Sequence, residues 1–201
     1  MAVAAVLLAA CVVIRPASLT ADDGLSYFGV SLSTVLPYAA AYFWQSACYW
    51  RVSRAVARGS RANIGLALSL QAMAVLIAAL VVAPTSLVGF LHDTLGTVLF
   101  CLQLALSIWW VLRTDAAWQG RTLLAIEFLA GVVALYYLQR HLGLLLEAQV
   151  VFQLAFGLLL IRRLDGLFSD PRPVIDAEVS GPLPLPDTRP HPGPCPPSPP
   201  T

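Results

Sequence analysis

Charge is what this sequence has least of. Only 11% of its 201 residues are charged, whereas 58% are hydrophobic. A soluble domain carries about 25% charged residues, so the polar surface here is too small to cover a water-facing protein. Twelve basic and eleven acidic residues leave a net charge of +1, which offers no attractive field to nucleic acid. A soluble globular domain and a nucleic-acid partner are therefore excluded.

Patterns that carry common chemistry are also missing. The four cysteines show neither a CxxC spacing nor the arrangement of a disulfide framework. No glycine-rich phosphate loop, nucleophile elbow or HExxH sequence occurs. We therefore expect no cofactor, and no catalytic residue can be assigned from a known enzyme motif.

Long apolar runs are what the sequence has in abundance. A bilayer core about 30 Å thick needs about 20 apolar residues per helix, and backbone groups in lipid must be satisfied within the chain. The predicted fold class is therefore all-α: an integral membrane bundle of six transmembrane helices within residues 1–163. The predicted helices span residues 2–14, 30–49, 64–83, 95–112, 122–138 and 142–161.

Every basic residue is an arginine, which is typical of a GC-rich bacterial genome. The arginines of the predicted connections fall mainly on one side of the membrane, whereas only Arg15 and Arg140 fall on the other. The positive-inside rule then predicts a multi-pass protein of the cell (inner) membrane with both termini in the cytoplasm. The arginines on the predicted cytoplasmic side are Arg51, Arg54, Arg58, Arg61, Arg113, Arg121, Arg162 and Arg163.

The first predicted helix is short and has alternative interpretations. Leu8-Ala9-Ala10-Cys11 has the form of a bacterial lipobox. Two observations count against a lipobox. A signal peptide requires a Lys or Arg before its apolar run, and none is present here. The apolar run also continues past Cys11 to Ile14. A start codon placed too late would also explain a short first helix, so these alternatives stay open.

The last part of the chain, residues 164–201, has a different composition. Twelve of the fifteen prolines lie between Pro171 and Pro200. Proline removes amide donors and fixes φ, so we predict a disordered cytoplasmic tail with polyproline II character. A solvated tail is the simpler interpretation, and a docking segment is the alternative.

A layer of polar side chains is predicted inside the membrane. By helical rise, five residues on successive predicted helices lie about 9–15 Å from the cytoplasmic boundary. Small and amide side chains on one stripe are typical of closely packed membrane helices. We expect these residues to link the helices, and the alternative is a binding or proton-relay site centred on Glu127. The layer comprises Gln45, Gln71, Gln103, Glu127 and Gln153.

A second polar cluster is predicted at the outer face. Asp22 and Asp23 follow the first helix, His92 and Asp93 precede the fourth, and His141 precedes the sixth. Histidine and carboxylate groups can bind a divalent metal. However, the remaining histidine lies in the predicted cytoplasmic tail, so we predict no metal site.

Two short motifs resemble those of a known family. The segment Asp23-Gly24-Leu25-Ser26-Tyr27-Phe28-Gly29 resembles the Ser-x-x-Gly outer loop of a prokaryotic six-helix membrane family of unknown function, related to DRAM and FRAG-like proteins. Ala83-Pro84-Thr85 followed by Leu91-His92-Asp93 resembles its Pro-(Ser/Thr)…Leu-His signature. The resemblance covers about residues 1–163, although the short first helix departs from the family pattern. It implies six helices and draws attention to Ser26, Gly29 and His92, but it implies no enzyme activity.

Three functional hypotheses follow from the sequence. The leading one is a non-enzymatic membrane protein that binds or organises membrane lipid or another membrane protein. The alternative is a small transporter or proton-coupled carrier that uses Glu127. Against it, Pro37 is the only proline inside a predicted helix and has no counterpart three helices later, as an inverted repeat would show. The third hypothesis is an extracytoplasmic lipid-modifying enzyme around His92, Asp93 and His141.

Overall fold

The described part of the chain is almost entirely helical. The structure, a computed structural model, describes residues 2–17, 24–59, 63–83, 85–113, 118–140 and 144–169. No β-strand occurs in these ranges, as the sequence predicted. They form α1 (Ala2–Ile14), a 3₁₀ turn (Gly24–Ser26), α2 (Tyr27–Val30), α3 (Val35–Gly59), α4 (Ile64–Val82), α5 (Thr85–Arg113), α6 (Trp118–Arg140) and α7 (Leu145–Ser169).

Within the described ranges, four helical segments are long and apolar enough to cross a membrane. Large apolar side chains on these helices point outward, as with Leu68, which is 59% exposed, and Leu129, which is 63% exposed. In water such a surface would be an aggregation liability, whereas in lipid it is the expected one. The chain is therefore a membrane-embedded helical protein. The four segments are Ile64–Val82, Gly89–Arg113, Trp118–Arg140 and Leu145–Ser169.

The helices pack in two pairs joined by α5. The most extensive contacts are between α3 and α4 and between α6 and α7, and α5 contacts α4, α6 and α7. Leu70, Met73 and Ile77 of α4 meet Tyr49 of α3 and Phe156 of α7 in the main core. The short α1 packs on α3.

A second, smaller hydrophobic core joins α1 and α2 to the first turns of α3 and α7. Cys11 of α1, Phe28 of α2, Tyr38 of α3 and Leu146 of α7 meet there. We call this end, which holds Ser26 and His92, the Ser26 end. The opposite end, which holds Arg51, is the arginine end.

α3 differs from its predicted bounds of 30–49 at both ends. The carbonyl of Ser31 accepts hydrogen bonds from the Thr34 and Val35 amides at 3.0 and 2.8 Å, so a turn separates α2 from α3. Pro37 consequently lies in the first turn of α3, where a helix needs no amide donor, and not in the interior of a span. The helix then continues beyond residue 49 to Gly59.

α5 begins at Thr85, not at residue 95. The predicted bounds of 95–112 place His92 and Asp93 before this helix. Instead, the Thr94 hydroxyl donates to the Phe90 carbonyl at 2.7 Å and the Thr97 hydroxyl to the Asp93 carbonyl at 2.8 Å. These bonds satisfy both hydroxyls within the helix, so His92 and Asp93 are helical.

α6 and α7 are longer than predicted. α6 covers Trp118–Arg140, against 122–138, and α7 ends at Ser169. The first residues of the predicted tail, 164–169, are therefore the last turns of α7. The remainder of that tail, from residue 170 on, lies outside the described residues.

Candidate functional site

The Ser26 end brings together two residues that are 66 positions apart in the sequence. Ser26 closes the 3₁₀ turn and precedes α2, whereas His92 lies within α5. The Ser26 Oγ and His92 Nε2 atoms are 2.7 Å apart. His92 is buried, with 7% of its surface exposed, whereas Ser26 is half-buried, so the contact lies at the edge of the protein interior.

A backbone carbonyl fixes the orientation of the His92 ring. Nδ1 of His92 lies 2.8 Å from the carbonyl oxygen of Ala83, at the C-terminal end of α4. A carbonyl can only accept, so Nδ1 carries a proton. In the neutral imidazole, Nε2 is then an acceptor for the Ser26 hydroxyl. The resulting order is hydroxyl, imidazole and orienting acceptor, which is the arrangement of an activated nucleophile.

The turn that carries Ser26 is anchored on α7. The Leu25 amide donates to Oε1 of Gln149 at 2.9 Å. Gly24 has φ of 56°, a left-handed conformation that favours glycine. A Cβ at Gly24 would also overlap Gln149 Oε1. Both features hold the turn in one position relative to α7.

A small cavity adjoins the Ser26–His92 pair. Its volume is about 20 Å³ and its lining includes Ser26, His92, Gly29 and Tyr38. A Cβ at Gly29 would lie 3.0 Å from Cε1 of Tyr38, so glycine allows the tyrosine ring to approach closely. A cavity of this size holds about one water molecule.

The other predicted outer-face residues do not complete a metal site in the described part of the chain. Asp93 is exposed, whereas the adjacent His92 is turned inward. Asp22, Asp23 and His141 lie outside the described residues. Within the described ranges, no group of three His, Cys, Asp or Glu side chains could hold a metal ion. The absence of a metal stays a prediction for the whole chain.

Two members of the predicted polar layer form a reciprocal amide pair. Nε2 of Gln103 donates to Oε1 of Gln153 at 3.1 Å, and Nε2 of Gln153 donates to Oε1 of Gln103 at 3.0 Å. This pair links α5 to α7. Gln45 and Gln103 both lie beside the hydroxyl of Tyr49, so the same polar group reaches α3. Gln71 on α4 is half-buried.

Glu127 is the fully buried layer member that lacks a hydrogen-bond partner among the described residues. Its side chain is 0% exposed, and neither carboxyl oxygen has a hydrogen-bond partner among the described residues. The hydroxyl of Ser107, one helical turn after Gln103 on α5, lies beside it and is also unpartnered there. The structure therefore places an ionisable group and a hydroxyl together in the apolar interior. Glu147, which falls within the predicted helix of residues 142–161, is exposed in the first turn of α7.

An open groove between α3 and α4 was not predicted from the sequence. Its volume is about 400 Å³, and it is shallow and wide open to the surroundings of the protein. Small side chains of Ala47, Ala74 and Ala78 leave the space, and Phe43, Val75, Trp50 and Arg51 line it together with Ser46. The Ser46 hydroxyl donates to the Ala74 carbonyl at 2.7 Å, which fixes the two helices beside the groove. A signal was present in the sequence, since Ala74 and Ala78 are four residues apart on one helix face.

Gln149 and the Ala83 carbonyl were also missed as parts of the Ser26 end. Gln149 and Gln153 are four residues apart on one helix face, and this spacing could have indicated that Gln149 has a role. A backbone acceptor has no sequence signal.

Comparisons of the chain with protein-family models, with curated proteins and with solved structures find no match.

Proposed function

We propose that this chain is a multi-pass membrane protein that binds an anionic phospholipid in the groove between α3 and α4. The observation that carries the proposal is the groove itself. Most of its lining side chains are apolar and suit an acyl chain, while Trp50 and Arg51 line it at the arginine end. An anionic phospholipid has the same division into an apolar and a charged part.

The charge on α3 supports an anionic headgroup. Arg51, Arg54 and Arg58 are spaced by three and four residues, so they extend the groove-lining face of α3 as a row of exposed cations. α3 contains no acidic residue, and none lines the groove. Arginines near a membrane surface attract anionic lipid by about 1 kcal/mol each. Trp50 is suited to the headgroup level, where tryptophan is enriched.

The topology that goes with this function has six membrane segments. α1 and α3 would join the four apolar helices, and α3, with 25 residues, is about 38 Å long. Arg51, Arg113 and Arg162 belong to connections on one side, so the positive-inside rule puts that side and both termini in the cytoplasm. The cell (inner) membrane is the proposed location. Two features support a relationship to the DRAM and FRAG-like family. These are the six proposed segments and the two short motifs that contain Ser26, Gly29 and His92.

Native mass spectrometry of the protein in nanodiscs tests the lipid site. With equal amounts of phosphatidylglycerol and phosphatidylcholine, we expect the protein to retain phosphatidylglycerol. Arg51→Gln should lower the retained fraction about fivefold, the equivalent of about 1 kcal/mol. Ala78→Phe, which fills the groove, should lower retention of both lipids. Arg121→Gln is the control, because Arg121 is an exposed arginine of α6 away from the groove.

Three results would contradict the lipid proposal. Equal retention of the two lipids would remove the role of the arginines. Unchanged retention in Ala78→Phe would place the lipid elsewhere. A stoichiometric membrane protein that is lost in Ala78→Phe would identify a partner helix as the occupant of the groove.

A carrier is the second candidate, and the unpartnered carboxyl of Glu127 favours it. Ionisable groups inside membrane proteins commonly mark ion or proton pathways. In vesicles that contain a pH-sensitive dye, a potassium diffusion potential should then drive proton entry that Glu127→Gln abolishes. Proton entry equal to that of protein-free vesicles would eliminate this candidate.

A further inference from the structure

We propose that Ser26 is a nucleophile activated by His92 and that it accepts the acyl group of a membrane lipid ester. This site is at the opposite end of α3 and α4 from Arg51, so it does not depend on the lipid groove. The inference rests on the 2.7 Å contact of Ser26 Oγ with His92 Nε2 and the 2.8 Å contact of His92 Nδ1 with Ala83 O.

The geometry satisfies two requirements of a serine nucleophile. The base must be within hydrogen-bond reach of the hydroxyl, about 2.6–3.2 Å, and a third group must orient it. His92 meets the first requirement through Nε2, and the Ala83 carbonyl meets the second through Nδ1. The carbonyl holds the tautomer in which Nε2 can take a proton.

The surroundings indicate the substrate class. The cavity next to Ser26 has room for about 20 Å³, which admits a reacting carbonyl group but not a whole molecule. Its apolar lining includes Val35, Leu80 and Val81. A substrate must therefore present an ester from outside while the rest of the molecule stays in the lipid phase. Acyl esters of membrane lipids have this property.

The proposed step is an acyl transfer. Oγ of Ser26 forms a bond to the acyl carbon of the ester while Nε2 of His92 takes the hydroxyl proton. As the ester C–O bond breaks, His92 returns this proton to the oxygen of the leaving alcohol. The acyl group on Ser26 then passes to water or to another alcohol by the reverse sequence, which restores the serine.

An alkyl fluorophosphonate provides the first test. Attack by Ser26 forms an O–P bond and releases fluoride, with the proton taken by His92, and peptide mass spectrometry locates the adduct. We expect Ser26 to be labelled at least about tenfold faster than Ser33, an exposed serine that serves as an internal control, because general-base catalysis contributes about 10²–10⁴-fold. No adduct on Ser26, or labelling no faster than on Ser33, would overturn the proposal.

His92→Asn separates activation from a structural role. The asparagine amide can still donate to the Ala83 carbonyl, but it cannot take the serine proton. We expect a folded variant in which labelling of Ser26 falls at least about tenfold. A purely structural contact would leave the labelling rate unchanged in the folded variant, and that result would also overturn the proposal.

Ser26→Cys gives a test that keeps His92 in place. A neighbouring histidine favours the thiolate, which is the reactive form. With iodoacetamide, the thiol at position 26 should react at least about tenfold faster than the same thiol in the double variant Ser26→Cys/His92→Asn. Equal alkylation rates in the two variants would show that His92 does not activate this position.

Discussion

The two buried polar regions of this protein differ in how their polar atoms are partnered. His92, 7% exposed, has a partner for each ring nitrogen, from two other elements. Glu127, 0% exposed, has a hydrogen-bond partner for neither oxygen among the described residues. Since burial is nearly equal, the difference lies in the surroundings.

This contrast predicts different effects of substitution on stability at His92 and at Glu127. A buried polar group that is fully hydrogen-bonded supports the fold, and its removal leaves its partners unsatisfied. A buried group without partners contributes no such bonds, so the fold loses little when it is replaced. Substitutions at the Ser26 end should therefore lower the free energy of unfolding. Substitution of Glu127 should leave that free energy nearly unchanged and affect only the proposed proton pathway.

The largest effect is expected for His92→Ala. The substitution removes both hydrogen bonds of the ring and leaves the Ala83 carbonyl and Ser26 hydroxyl without this partner. A loss of about 2 kcal/mol in unfolding free energy is expected from unsatisfied buried groups. Titration with SDS in mixed micelles measures it. His92→Asn, which preserves the bond to Ala83, is the matched control and should lose less. Equal losses in the two variants would refute the role of the carbonyl.

Gly24→Ala should have the next largest effect. Gly24 combines φ of 56° with a position at which a Cβ would overlap Gln149. We expect a loss of about 1–2 kcal/mol, because left-handed strain adds to displacement of the glutamine. The same SDS titration applies. Gly65→Ala is the control, since no atom lies within 4 Å of a Cβ there and alanine favours a helix. If Gly24→Ala were as stable as Gly65→Ala, the turn would not be fixed by this residue.

Gln103→Leu tests the amide pair in the interior. It removes both bonds to Gln153 and leaves the half-buried Gln153 amide unpaired. The expected cost is about 1 kcal/mol, since hydrogen bonds between membrane helices average about 0.6 kcal/mol. The double variant with Gln153→Leu should cost less than the sum of the two single variants. SDS unfolding of the three variants forms a double-mutant cycle. Strict additivity would mean that the two amides do not interact.

Helix type and approximate position were predictable because apolar runs are confined by bilayer thickness. α4 ends one residue before its predicted end of 83. The start of α5 was not predictable in this way, because Thr94 and Thr97 satisfy their hydroxyls on their own helix. Polarity alone cannot distinguish such residues from a loop.

The site was predictable in its residues but not in its geometry. Ser26 drew attention through the family resemblance, and His92 through its position near carboxylates and another histidine. Sequence placed His92 beside Asp93, whereas the helix turns the two in different directions. The contact with Ser26 spans 66 positions, and the orienting partner is a main-chain carbonyl, which any residue type provides.

The smallest effect on stability is expected for Glu127→Gln. The amide is nearly the same size as the carboxyl, and no described hydrogen bond is lost because neither carboxyl oxygen has a partner. A change within about 0.5 kcal/mol follows, as for substitutions that break no named interaction. If Glu127→Gln instead destabilised the protein as much as His92→Ala, Glu127 would have a structural partner, and the contrast between the two regions would fail. A neutral result together with loss of proton entry would leave Glu127 with a functional role alone.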